Sequence, residues 1–324
     1  QTRNNWAQKS PLLANNGEAR DWFGATLALS SNTLAVGAQG DDVDGKSNQG
    51  SLYLFGRNEI ARNASGVDNW ILLKQLTAGD GAIDDNFGSA LAMSDDMLLV
   101  GAETDDVGAG INQGSAYLFA RNQGGADNWG LLKQLPASDG AASDNFGSAV
   151  AIQGDMLAIG APGKTVGSAF AQGALYLFQR NAGGIDNWGE VKRVTASDGA
   201  ASDQFGISLA LSQETLAVGA YGTDLNGNEA QGAVYLFARY QGGSDNWGEV
   251  RKVVAGDGAT GDWFGWSIAL AGDQLVVGAP FAQVGSNFGQ GAAYLFQRNL
   301  GGVDAWGQVT KLVANDCQAG DQFG

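Results

Sequence analysis

Apolar runs of six to nine residues, separated by clusters of Gly, Asp, Asn and Ser, fill the chain from end to end. Phe87 to Met93, Met97 to Ala102, Ser115 to Ala120 and Trp129 to Ala137 are four in succession. Runs bounded this way read as strands. Several are apolar nearly throughout, as strands covered on both faces are. None holds the 3.6-residue period of a helix. The same four runs then recur. Asp-Xaa-Phe-Gly returns at Phe23, Phe87, Phe146, Phe205, Phe264 and Phe323, spaced 64 residues once and 59 thereafter. Trp6, Trp70, Trp129, Trp188, Trp247 and Trp306 keep the same beat. A fixed period marks a repeat architecture. Four antiparallel strands per period predict an all-β chain, a β-propeller of four-stranded blades. A parallel β-helix is the alternative, but its coils are usually much shorter.

The whole of 1–324 reads as a single repeat domain, with full repeats at 21–84, 85–143, 144–202, 203–261 and 262–320. Residues 4–24 align without gaps to 68–88. Residues 1–20 therefore predict an extra outer, closing strand around Trp6 and its connector, and 321–324 the start of a further repeat. An open strand edge invites association, so the expectation is either more blades or a neighbouring subunit that completes one. The first repeat is five residues longer, between Phe55 and Trp70, and carries the only glycosylation sequon, Asn63-Ala64-Ser65.

Composition narrows the function. The 51 glycines fall at fixed phases and mark turns and close approaches. A net charge of −16 opposes binding to nucleic acid and anionic lipid, and favours cations or basic partners. The absence of histidine removes the commonest general base and metal ligand. Cys317 is the lone cysteine, so there is no internal disulfide and no thiolate zinc site. No apolar run approaches the length of a membrane-spanning helix, and none predicts membrane insertion. The chain opens at Gln1, which suits a mature secreted protein or a trimmed chain.

The stretches Asp262-Trp263-Phe264-Gly265, Leu275-Val276-Val277-Gly278-Ala279-Pro280 and Gly291-Ala292-Ala293-Tyr294-Leu295-Phe296 resemble the FG-GAP repeat, the blade unit of the integrin α-subunit propeller, in its bacterial version. The resemblance recurs five times and implies an extracellular or cell-surface propeller. Integrin-type repeats often hold calcium between their first two strands. Here those connections are tight hairpins such as Ser94-Asp95-Asp96, with too few oxygens for the ion.

An eleven-residue loop between the second and third strands varies most: Gln39 to Gln49, Glu103 to Gln113, Pro162 to Gln172, Tyr221 to Gln231 and Pro280 to Gln290. Constant length with changing content suits a frame that presents a surface. Asp41, Asp42 and Asp44 cluster in the first loop, either as a site for a hard cation such as calcium or as an Asx-rich turn. Asp105 and Asp106 echo them. Trp22, Trp263 and Trp266 lie outside the tryptophan beat and are candidates for an exposed ligand surface. The paired acids Asp80/Asp85, Asp139/Asp144, Asp198/Asp203 and Asp257/Asp262 recur in each connector and read as turn-makers and caps, because a catalytic pair is normally unique. The arginines that end each third strand, Arg57, Arg121, Arg180, Arg239 and Arg298, are expected to pair with a neighbouring blade's Asp.

Together these features predict a non-enzymatic propeller presenting loops for adhesion or ligand recognition, its partner a protein or glycan. A structural subunit assembling with copies of itself through open terminal strands, and a carbohydrate-binding propeller, are the other readings.

Overall fold

The computed structural model describes residues 11–58 and 69–324. Within them the chain forms five four-stranded antiparallel sheets and no helix. The first sheet holds β1 (Leu27–Ser30), β2 (Thr33–Ala38), β3 (Ser51–Asn58) and β4 (Asn69–Leu76). The second holds β5 (Ala90–Ser94), β6 (Met97–Ala102), β7 (Ser115–Ala120) and β8 (Gly130–Leu135). The third holds β9 (Val150–Gln153), β10 (Met156–Ala161), β11 (Ala174–Gln179) and β12 (Gly189–Val194). The fourth holds β13 (Ser208–Ser212), β14 (Thr215–Ala220), β15 (Ala233–Ala238) and β16 (Gly248–Val253). The fifth holds β17 (Ser267–Ala271), β18 (Gln274–Ala279), β19 (Ala292–Gln297) and β20 (Gly307–Leu312). Strands pair in chain order in every sheet, which excludes the parallel β-helix. The extra strand expected around Trp6 and the sequon at Asn63 lie outside the described residues.

The second and third strands of each sheet are its most buried, because both of their faces are covered. Tyr117, Tyr176, Tyr235 and Tyr294 sit on them fully buried. The core is layered between sheets. Leu99, Leu118 and Leu135 of the second sheet pack with Phe146, Ile159, Tyr176 and Trp188 of the third in one cluster. Trp129, Trp188, Trp247 and Trp306 therefore pack between neighbouring sheets. At the third-to-fourth strand pairing each sheet carries a bulge at the same place, between Leu118 and Phe119 in the second.

The Phe-Gly signature is not the start of the first strand, as the apolar run suggested. It is a turn before it. The Phe146 amide donates to the Gln113 carbonyl of the preceding sheet (2.9 Å), and the Gly147 amide to the Gly160 carbonyl of its own (2.9 Å). The run's apolar character comes from inter-sheet packing: Phe146 is buried edge-on to Tyr176 (5.4 Å) and Phe178 (6.2 Å). Gly147 holds φ +99°, and a Cβ there would fall 2.4 Å from the Ser115 carbonyl oxygen. That oxygen belongs to the preceding sheet, so the glycine is needed where two backbones pass. At Gly24, with no earlier sheet among the described residues, an added Cβ would meet nothing within 4 Å.

Candidate functional site

Strand order puts three connections at one end of every sheet. These are the turn entering the first strand, the eleven-residue loop from second to third, and the connector leaving the fourth. They are zipped together: the Asp84, Asn86 and Phe87 amides donate to the Ser47, Asn48 and Gln49 carbonyls (2.9, 3.0 and 2.9 Å). Each loop folds back as a small hairpin, with Val43 bridged to Lys46 and Val166 to Ala169. The backbone of this face is thus repeated while its side chains are not.

The acidic residues of the loops face different ways. Asp41 is buried, and its Oδ2 accepts from Ser51 Oγ (2.5 Å), Tyr53 OH (3.0 Å) and Gln75 Nε2 (3.0 Å). Asp42 is exposed, and its Oδ1 accepts from the Asn48 amide (2.9 Å), closing its own loop. Asp44 is exposed in a left-handed turn, φ 52°. The structure does not bring the three carboxylates together. Among the described residues no group of three or more acidic or cysteine side chains is placed to hold a metal. Asp106 repeats the loop-closing role on the Asn112 amide (2.7 Å). Asp105 repeats the inward one, accepting from Tyr117 OH (3.0 Å), and burial pushes its carboxyl up from the usual range.

The paired acids divide into two jobs. The second acid caps the backbone three residues earlier, as Asp144 does for the Ala141 amide (2.7 Å) and Asp262 for Ala259 (2.8 Å). Burial raises Asp85, Asp203 and Asp262. The first acid ties its sheet to the next. Asp139 accepts from Tyr176 OH (2.6 Å) and from Arg193, and Asp257 from Tyr294 OH (2.9 Å) and Lys311 Nζ (2.7 Å). Burial pushes Asp139 up, but the Tyr176 hydroxyl with the Lys164 and Arg193 cations outweighs it and holds the carboxyl below its usual range. These tethers, which join residues 37 and 54 positions apart, were not visible as pairs in the sequence.

The carboxylates that pair with Arg121, Arg180, Arg239 and Arg298 belong to their own sheets and not to a neighbour's, although Arg121 Nη2 also donates to Thr33 Oγ1 of the preceding sheet (3.0 Å). Arg121 meets Asp96 (3.1 Å) and Asp127 (2.9 Å), and Arg298 meets Asp304 (2.6 Å). The reason is the sheet's shape. Its β1–β2-type hairpin and third-to-fourth strand loop share the end opposite the eleven-residue loops, and each third strand finishes between them. Arg57 also has a partner.

The off-beat tryptophans do reach the loop face. Trp263 and Trp266 stack (5.4 Å, 29°), and both meet Tyr221 (4.8 and 5.0 Å), while Phe281 stands edge-on to Trp263 (4.5 Å). Tyr221 and Phe281 were not singled out from sequence, though each is an aromatic at the opening of a loop whose counterparts are mostly small or polar. Trp22 occupies the same repeat position as Trp263, yet it is 62 % exposed and stacks on no ring among the described residues. It borders a cleft of about 580 Å³ lined also by Arg20, Gln39, Asn48, Asp84, Asn86 and Thr104. Asn48 Nδ2 donates to Asp84 Oδ1 (2.8 Å), and Asn86 Nδ2 to Thr104 Oγ1 (2.7 Å).

Comparison with known proteins agrees with this frame. The model of the FG-GAP repeat matches residues 6–55, 70–119, 129–178, 188–237 and 247–296. Each matched stretch begins at a tryptophan and ends at the phenylalanine of a third strand, and the four that begin at Trp70, Trp129, Trp188 and Trp247 start within or just before a fourth strand and end in the next sheet. The family's unit therefore straddles two sheets and contains their junction. No curated protein matches the chain. Among solved structures, the computationally designed Ika4 protein is similar over 61 % of this chain and 88 % of its own, at 16 % identity and a TM-score of 0.36.

Proposed function

Because the chain belongs to the FG-GAP repeat family, we propose that it is a non-enzymatic extracellular or cell-surface propeller that recognises a protein or glycan on its loop face. One observation carries this reading. A single left-handed backbone position on that face is filled in turn by Trp22, Asn86, Asn145, Gln204 and Trp263. A frame held constant under changing side chains serves recognition. The repeated acid pairs serve caps and tethers, as structural groups do. The acidic surface favours neutral or basic partners over nucleic acid and anionic membranes.

The test replaces the other four loops with the sequence of Pro162 to Gln172, equal in length and so compatible with the frame. The parent chain should bind at least one member of a panel of immobilised matrix proteins and polysaccharides, and the replaced chain should lose it. Binding to none, or binding indifferent to the replacement, overturns the reading.

A second reading, assembly with copies of itself, has its own support. Leu312 of β20 is 43 % exposed, whereas its counterparts Leu76, Leu135, Val194 and Val253 are buried against a following sheet. The interface made four times within the chain therefore has an uncovered half. A mass in solution that rises with concentration, and falls back in Leu312→Asp, would favour this reading. A constant monomer mass would reject it.

A further inference from the structure

We propose that the cleft beside Trp22 is a binding site for a neutral hexopyranose, free or at the end of a glycan. The inference rests on the ligand-recognition reading above and names its ligand class.

Trp22 has φ 56°, a conformation that a bulky side chain rarely adopts. The frame asks for that conformation in every repeat, and asparagine or glutamine meets it at Asn86, Asn145 and Gln204. Asparagine tolerates the left-handed region far better than an indole does. Trp263 offsets the cost by packing among Tyr221, Trp266 and Phe281. Trp22 has no such packing, because Ala25 stands where Trp266 does and Gly40 where Phe281 does. An indole held in an unfavourable conformation and left 62 % exposed gains little packing from the fold. Local strain without a packing return points to function.

The chemistry around the ring selects the ligand. Gln39, Asn48, Asn86 and Thr104 line the same cleft. Amides and hydroxyls both donate and accept, as sugar hydroxyls do. The Asn48–Asp84 and Asn86–Thr104 bonds fix two of those amides by their nitrogens, leaving both amide oxygens as acceptors. Arg20 and Asp84 carry opposite charges, so the cleft favours no net charge in its occupant. A pyranose offers an apolar face of axial C–H groups to the indole and hydroxyls at its rim. The corresponding groove at Asn145, Pro162 and Gln204 is smaller, about 350 Å³, and has no tryptophan. That groove has an exposed phenylalanine, Phe170, in its wall and Ala171 where the Trp22 cleft has Asn48, so the two differ in polar lining as well as in the indole.

The experiment titrates the full chain with methyl glycosides of glucose, galactose and mannose, read by saturation-transfer NMR and by tryptophan fluorescence. At least one should bind and receive saturation on its ring C–H protons. Trp22→Ala should weaken it about tenfold or more, the loss expected when a central aromatic anchor is removed. Asn86→Ala should weaken it less. Trp266→Ala, in the other aromatic group, should leave it unchanged. Because Trp22 is exposed, the Trp22→Ala chain should melt as the parent does, so lost binding would not be lost folding. Binding of none of the three glycosides, or binding that survives Trp22→Ala, overturns the proposal. If the hexose test fails in this way but the loop-replaced chain loses a protein or polysaccharide partner, the recognition reading stands and the hexose site alone is wrong. If neither experiment shows binding, both are.

Discussion

The phenylalanine of the Phe-Gly signature is a structural residue whose worth depends on its neighbours. Phe146 is buried between two sheets, while Phe323, the same residue type in the same motif, is 37 % exposed. Phe146→Ala should therefore lower unfolding free energy by about 3–5 kcal/mol, and Phe323→Ala by much less, when both are measured by urea denaturation. Its structural role was legible from repetition alone, since a unit present in every blade is seldom a site. Buried Asp105 gives a second test. Burial raises its folded pKa above the unfolded value. The folded state then holds the proton more tightly, so stability is greatest below the ordinary carboxylate range and declines as pH rises through the raised value. Asp105→Asn keeps an acceptor for Tyr117 and cannot ionise. It should stabilise the chain at neutral pH, with the gain vanishing near pH ~4, in paired denaturation curves. Equal effects at both pH values would show that the carboxylate is not desolvated. Trp22 and Trp263 share a position and a residue type, and only their surroundings separate an exposed ring from a packed one.

Each sheet is legible as an element: four apolar runs with Gly/Asp punctuation became four antiparallel strands. The exception is the first run, which begins with a turn because Phe bonds the neighbouring sheet and Gly passes close to its backbone before their own strand starts. What joins the sheets was less visible. The tether from Tyr176 OH to Asp139 spans 37 residues, and the one from Arg193 spans 54. Tyr176→Phe should cost about 1–2 kcal/mol, as the loss of a hydrogen bond to a charged acceptor does. Arg193→Ala, which removes a half-exposed ion pair, should cost at most about 1 kcal/mol. Chemical denaturation of the two variants compares them directly, and a larger loss from the arginine would reverse the order of the two tethers. Asp139 itself has its pKa held down, so its contribution is present above the ordinary carboxylate range and lost as pH falls through the folded value.

Across the whole molecule, the inner sheets are covered on both faces and the outer ones are not. Leu27 and Leu29 of β1 are exposed, as are Val309 and Leu312 of β20, whereas β10 and β11 are buried almost throughout. Hydrogen exchange should be slowest in β10 and β11 and faster in β1 and in β17–β20, because sheets with fewer buried apolar contacts open more readily. Uniform protection would mean that another surface covers the ends. By itself the sequence determined the five units, their all-β character and the structural duty of Phe and Gly. Those follow from patterns a few residues long, repeated at a fixed period. Tertiary structure alone decided which carboxylates cap and which tether, that Asp41, Asp42 and Asp44 diverge, and that Arg121 finds its carboxylate partners in its own sheet. It also decided that Trp22 stands bare above a polar cleft. Each of these depends on side chains about one repeat apart, or on opposite sides of a turn, and only the stacking of sheets sets their distance and exposure.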